Sequence, residues 1–263
     1  MLISIVITVK NEEDNISDLL DSLIIQEKPY EIVIVDAYSE DSTVEIIKKY
    51  AKKYGGIKLY QMEGSRGAGR NYGVEKSRGE YVAFIDGDVV ASEQWLAEIR
   101  KSFREGADVV AGKTIQVGYK PFEKLERVEL FYKGIDVTYP SCNLAYRKKL
   151  FVEIGGFDEW FITAEDIDLN IRAVDKGAKF IYNPNAIVYH RTRDSWISFI
   201  KQAFWNGYGR KQLTLKHGKM WKFYKPQRMF TPYHLSFAGI IRFAAAFMGY
   251  IACKFFGGKR YGS

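Results

Sequence analysis

Cysteine is nearly absent from this chain: Cys142 and Cys253 are its two thiols in 263 residues. Two cysteines exclude a disulfide scaffold and a CxxC metal cluster. The amino end, MLISIVITVKNEED, lacks a basic leader and a small-residue cleavage site. It is therefore expected to form a strand rather than a signal peptide. No uninterrupted apolar stretch reaches the roughly 18–20 residues of a confident membrane span; the run over 243–253 stops short at 11. Repeats and low-complexity segments are also lacking. What is present is an ordinary globular composition, 47% apolar, which excludes global disorder. The length suits one large domain, or one domain with an appendage.

Acidic residues are missing from one part of the chain only. Residues 191–263 hold 14 Lys or Arg and a single acid, Asp194, and sum to +13; residues 1–190 sum to −6. The net +7 is thus a poor guide. A nucleic-acid-binding module needs its positive charge across the folded body, and here the body is net negative. The tail alone points to an anionic partner.

The first 110 residues alternate two patterns. Residues 2–9, 31–36, 57–61 and 81–86 are apolar, β-branched runs typical of buried parallel strands. Between them, Ile16, Leu19, Leu20, Leu23 and Ile24 follow helical spacing, as do Val44, Ile47 and Tyr50 behind an Asp41-Ser42 cap. A short helix is expected over 70–76 after a glycine-rich loop, and another carries Trp95, Leu96, Ile99 and Phe103. Repeated βαβ units imply an α/β fold with a mostly parallel sheet flanked by helices. Beyond it, short strands are expected over 107–117, 141–147, 179–182 and 186–190. Helices are expected over 121–133, 148–154, where Gly155-Gly156 ends the helix, and 165–175. Residues 195–256 read as helices with aromatic and basic decoration. The expected division is a domain over 1–192, with halves 1–112 and 113–192, and a helical extension over 193–263.

Ligands of open parallel sheets bind beyond the carboxyl ends of the strands. Asp36 closes the second strand. Asp86-Gly87-Asp88 closes the fourth, and its two carboxylates suit a hard divalent cation that also takes phosphate oxygens; as motif alone it is equally an ordinary turn. Ser65-Arg66-Gly67-Ala68-Gly69-Arg70 combines backbone N–H groups at a helix start with two guanidinium groups, which suits a diphosphate, or is a glycine-rich turn with surface arginines. Glu165 and Asp166 occupy the first turn of a helix, where acids serve as caps or where one carboxylate faces a pocket as general base. His190 at a strand end is either structural or a third metal ligand.

In this order and spacing, ISIVITVKNEEDN, IVIVDAYSEDST, GSRGAGRNYG, GEYVAFIDGD, SCNLAYRKKLFVEIGGFD and AEDIDL resemble the family 2 glycosyltransferases, across roughly residues 1–190. The resemblance implies the GT-A fold, with the basic, aromatic helices as a C-terminal extension. It implies transfer of a sugar from a UDP- or GDP-linked donor to a glycan or lipid-linked acceptor, with inversion and with Mg²⁺ or Mn²⁺. By it, Asp36 contacts the nucleobase, while Thr8, Val9 and Glu12 line the nucleoside pocket. Arg66, Gly67 and Arg70 lie beside the nucleotide, with Gly87 near them. Asp86 touches ribose or metal, Asp88 binds the metal, and Asp166, in the Glu165-Asp166 pair, is the catalytic base; His190 as a further ligand rests on its place at a strand end alone. Two departures stand out. Ala37 follows Asp36 where the family often has a second acid, and the Gln-x-x-Arg-Trp motif of processive members is broken around Gln202–Trp205 and Tyr208–Arg210. Single-sugar addition is therefore expected. A sugar-phosphate nucleotidyltransferase would want a GxGTR-like loop after the first strand, where this chain has Lys10-Asn11-Glu12-Glu13; a catalytically dead relative would not need Asp88 and Asp166.

The extension mixes Trp205, Trp221, Phe223, Tyr224, Phe230 and Tyr233 with Lys211, Lys216, Lys219, Lys222, Lys225 and Arg228. Aromatic and basic helices suit the interface of an anionic membrane, with a buried helical cap or a homo-oligomer contact as alternatives. The positive-inside rule then implies a cytoplasmic enzyme, peripheral on the cytoplasmic face.

Overall fold

In the computed structural model, residues 1–119, 125, 127–192, 195–224 and 236–257 are described. The β-branched runs become the centre of an eight-stranded sheet. β1 (Ile3–Val9), β2 (Tyr30–Asp36), β3 (Ile57–Gln61) and β4 (Tyr81–Asp86) are parallel neighbours. β5 (Val89–Ala91), β6 (Val109–Val117), β9 (Leu144–Arg147) and β10 (Phe180–Arg191) complete the order β3-β2-β1-β4-β9-β6-β10-β5. Strand β9 runs antiparallel to β4 and β6, and β10 antiparallel to β5, so the sheet is mixed. Ile3, Ile5, Val6 and Ile7 are fully buried, as a strand covered on both faces requires.

Around the sheet lie α1 (Ile16–Ile24), α2 (Thr43–Tyr54), α3 (Arg66–Lys76), α4 (Trp95–Arg104) and α5 (Lys148–Glu153). Helix α1 buries Ile16, Leu19, Leu20 and Leu23, with Ile24 half-buried, and α4 buries Trp95, Leu96, Ile99 and Phe103; on α2 only Ile47 of the expected stripe is buried, with Val44 and Tyr50 half-buried. By contacts the chain forms two units. The first comprises residues 1–115, 139–157 and 172–190; the second comprises 116–138, 158–171 and 191–263. The two units interleave along the chain.

The second unit holds a hairpin of β7 (Phe131–Tyr132) and β8 (Ile135–Asp136), the start of α6 (Glu165–Asp175), and two long helices, α7 (Trp196–His217) and α8 (Phe237–Phe256). Ser195 and Ser236 cap the long helices through their side chains. The helices pair through Gly207, whose added Cβ would lie 1.8 Å from the Ala246 carbonyl oxygen, and Gly249, equally close to that of Phe204.

Four local expectations are corrected. The helix expected over 121–133 is instead extended chain and hairpin at its described positions, because Lys133 and Gly134 both take positive φ and make a two-residue turn; residues 121–124 and 126 lie outside the described residues. Residues 141–143 form a 3₁₀ turn, so that strand is only Leu144–Arg147. Strand β10 runs unbroken through Asn183-Pro184-Asn185, because the Asn183 side chain donates to the Glu98 carbonyl, the Glu98 carboxylate and Ser102 on α4. Finally, α8 extends across Arg242 and is 20 residues long, with a mean hydropathy of 1.4, long and apolar enough to cross a membrane.

Candidate active site

Strand register gathers the first group of expected residues. Across β1 and β2, Val9 pairs with Asp36; across β1 and β4, Thr8 pairs with Asp86. All four thus lie on two adjacent rungs at the carboxyl ends of neighbouring parallel strands, where peptide dipoles and loops create ligand sites.

The glycine-rich segment is helix, not loop. Ser65 caps α3 by accepting from the Ala68 N–H. Gly69 brings the helix so close that an added Cβ would sit 2.9 Å from the Thr8 methyl; at Gly73 it would sit 2.5 Å from Val6. The glycines therefore press α3 onto β1, and Gly67 is buried while Arg66 is exposed. That approach brings Arg70, 1% exposed, to Asp86: Nη2 donates to Oδ1 at 2.7 Å. The guanidinium also lies over the Phe157 ring at 5.4 Å.

Asp88 is brought to His190 by strand pairing. Asp88 leads directly into β5, and Val89 there pairs with His190 of β10. His190 Nε2 lies 3.3 Å from Asp88 Oδ2, with both side chains less than one-fifth exposed. Gly87, between the two acids, admits the Glu12 side chain, whose Cγ would lie 2.9 Å from an added Cβ. Among the described residues no three His, Cys, Asp or Glu side chains form a metal-holding group. Asp86 is turned to Arg70, and Asp88 with His190 is the pair that could contribute to holding a metal ion. That fits a cation which takes its remaining oxygens from phosphates and water.

Asp36 is completely buried. Its carboxylate accepts from the Ser39 N–H and hydroxyl and from Gln61 Nε2. The exposed aromatic at this edge is Tyr38, held at φ 55°. Asn11, at φ 54°, locks the two loops together: its N–H donates to Ser39 Oγ, and its side chain accepts from the Glu40 N–H. Neither Tyr38 nor Gln61 carries a motif, and the left-handed backbone of two non-glycine residues could not be read from sequence.

In the second unit, Glu165 is buried and Asp166 partly exposed at the start of α6, where Asp166 Oδ1 accepts from the Ile167 N–H. Ala164 just before them sits at φ 67°, a costly conformation for a residue with a Cβ. Two residues beyond Asp166, Asp168 is fully buried against His217 and Lys216, each at 2.7 Å. Sequence reasoning missed this cluster, because its members are some 49 positions apart.

Comparison with known proteins matches these features to one family. The model for "Glycosyl transferase family 2" matches residues 4–157, and "Glycosyl transferase family group 2" matches residues 81–256. The chain is 28% identical to glycosyltransferase AglE of Haloferax volcanii over 226 residues, 80% of this chain and 73% of that protein. Among solved structures it is similar to Staphylococcus aureus TarS 1–349 in complex with UDP, at 26% identity and TM-score 0.60, covering 78% of this chain and 64% of that one. A mannosyltransferase from Pyrobaculum calidifontis, in complex with GDP-Man and Mn²⁺, shares the fold at TM-score 0.67 and 18% identity, over 97% of this chain and 76% of that one. With its mixed α/β sheet of GT-A type and its family model across most of the first unit, the chain belongs to the family 2 glycosyltransferases.

Proposed function

We propose that the chain transfers a single sugar, with inversion, from a UDP- or GDP-linked donor to an acceptor hydroxyl. The observation that carries this reading is the convergence of Arg70–Asp86 and Asp88–His190 at the carboxyl ends of the parallel strands. The buried ion pair holds Asp86 toward the nucleotide. Thr8, Val9 and Glu12 line the nucleoside side, and Asp36 shapes the base edge through Ser39 and Gln61. Asp88 and His190 would hold Mg²⁺ or Mn²⁺, which when bound offsets the charge growing on the leaving diphosphate. The exposed Arg66 adds a positive charge at the mouth of α3.

The protein's own chemistry is a proton transfer. Asp166 accepts the proton of the acceptor hydroxyl as its oxygen bonds to the anomeric carbon, while the bond to the diphosphate breaks on the opposite face. One base and one displacement give inversion. An ionised lipid phosphate would need no base, and Asp166 would then orient it. The extension is assigned to an anionic membrane surface on the cytoplasmic side: α8 turns Phe237, Ile240, Phe243, Phe247 and Phe255 outward, all more than half exposed, and Lys211 over the Tyr250 ring and Lys254 over the Phe255 ring add positive charge to this helix. Lys225, Arg228, Phe230 and Tyr233 lie outside the described residues.

The test is a thermal-shift screen of UDP- and GDP-sugars with MnCl₂ or MgCl₂. A metal-dependent rise in Tm with one nucleotide, lost in Asp88→Ala, supports the reading. No shift with any member, under conditions where the folded protein is intact, contradicts it.

A further inference from the structure

One face of α7 is given over to the segment that leads into Glu165 and Asp166. Thr163 Oγ1 donates to the Trp205 carbonyl at 2.7 Å. An added Cβ on Gly209 would lie 2.4 Å from the Thr163 carbonyl oxygen, so only glycine admits this segment. Gln212, 3% exposed, donates to the Trp160 carbonyl at 2.8 Å and accepts from the Ile162 N–H at 3.2 Å. Lys216 reaches Asp158 and Asp168, both at 2.7 Å, and lies over the Phe161 ring. His217 adds its bond to Asp168.

Positions 205, 209, 212 and 216 recur every three or four residues, which is one stripe of a helix. Every turn of that stripe grips residues 158–168. The gripped segment contains Ala164 in its left-handed conformation, and such a residue persists only where its surroundings over-determine it. The helix face toward α8, with Phe204 and Gly207, is a different one, so α7 serves both neighbours at once.

We propose that α7 is a positioning clamp for the catalytic carboxylates. Gly209, Gln212 and Lys216 are its positioning residues, acting through residues 158–164 and Asp168 to fix where Asp166 stands. This rests on the assignment of Asp166 as base, and it makes the C-terminal extension part of the catalytic machinery as well as a means of attachment. The clamp residues belong to the second unit and Thr8, Asp36 and Asp86 to the first, so their loss is expected to be read in the chemical step.

The test compares kcat for nucleotide release from UDP-glucose and GDP-mannose with Kd for UDP and GDP by calorimetry, all with MnCl₂. Gln212→Met, Lys216→Met and Gly209→Ala are expected to lower kcat about 10- to 100-fold, the scale of a misplacement near 1 Å, with Kd changed by no more than about twofold. Lys216→Arg keeps the cation and is expected to restore turnover. Wild-type kcat in all three folded variants, or nucleotide affinity lost in step with kcat, overturns the clamp. Asp166→Asn separates the two ideas: if it is inactive while the clamp variants are fully active, only the clamp fails; if it is fully active, the base assignment fails first.

Discussion

Asp88 and His190 are 102 positions apart in the chain and 3.3 Å apart in the fold. The antiparallel pairing of β5 with β10 makes that contact, so a short edge strand after the acidic turn places the imidazole. If the pair holds the divalent ion, His190→Ala should weaken apparent Mn²⁺ affinity roughly 10- to 100-fold. Asp88→Ala should abolish metal-dependent turnover. Titration of turnover against MnCl₂ after chelation checks both, and unchanged metal dependence in His190→Ala would remove it from the site.

Gly73→Ala tests the approach of α3 to the sheet. The new methyl would lie 2.5 Å from Val6 and 3.4 Å from Val35. Overpacking a tight interface costs about 1–3 kcal/mol, and Tm should fall by several degrees. A donor-binding defect should accompany it, because Arg70 rides on the same helix. An unchanged Tm would show that the helix has room to spare.

Glu31 should govern part of the acid stability. It is 2% exposed and binds Lys58, Arg78 and Ser4. Burial alone would raise its pKa, yet the Arg78 N–H, the Ser4 hydroxyl and the two cations overcome this and hold it at about 2. A carboxylate depressed in the folded state stabilises the protein above its unfolded value, near 4.5. That stability is lost as pH falls toward about 2. Glu31→Gln should cost about 1–3 kcal/mol at pH 7 and flatten the loss between those two pH values. Denaturant unfolding at pH 7, 4 and 3 gives the comparison.

The outward face of α8 is testable without the acceptor. Phe243→Glu with Phe247→Glu should reduce co-sedimentation with vesicles containing phosphatidylserine, and binding of the unaltered protein should fall with added salt. Equal sedimentation by both proteins would leave the face to another partner, such as a second copy of the chain.

Much of the first unit was legible because its physics is local. A β-branched run such as residues 3–9 admits few structures besides a buried strand, and the stripes on α1 and α4 need only helical spacing. The acids at strand ends were legible for the same reason: they follow such runs directly. What escaped was set by partners far along the chain. Gln61 reaches Asp36 because β3 lies beside β2, and Lys216 reaches Asp168 through the path of α7. The residues 121–133 misled because their apolar spacing fits a helix, while the turn at Lys133-Gly134 decides for a hairpin. Residues 243–253 read as too short because Arg242 interrupts the apolar run without interrupting the helix.

The central claim is that Asp166 removes the acceptor proton, and Asp166→Asn measures it most directly. Asparagine keeps the shape and cannot take the proton. The account predicts that UDP or GDP binding with Mn²⁺ stays intact while sugar transfer to a hydroxyl acceptor falls at least about 100-fold. Transfer at the wild-type rate by the folded variant would contradict it.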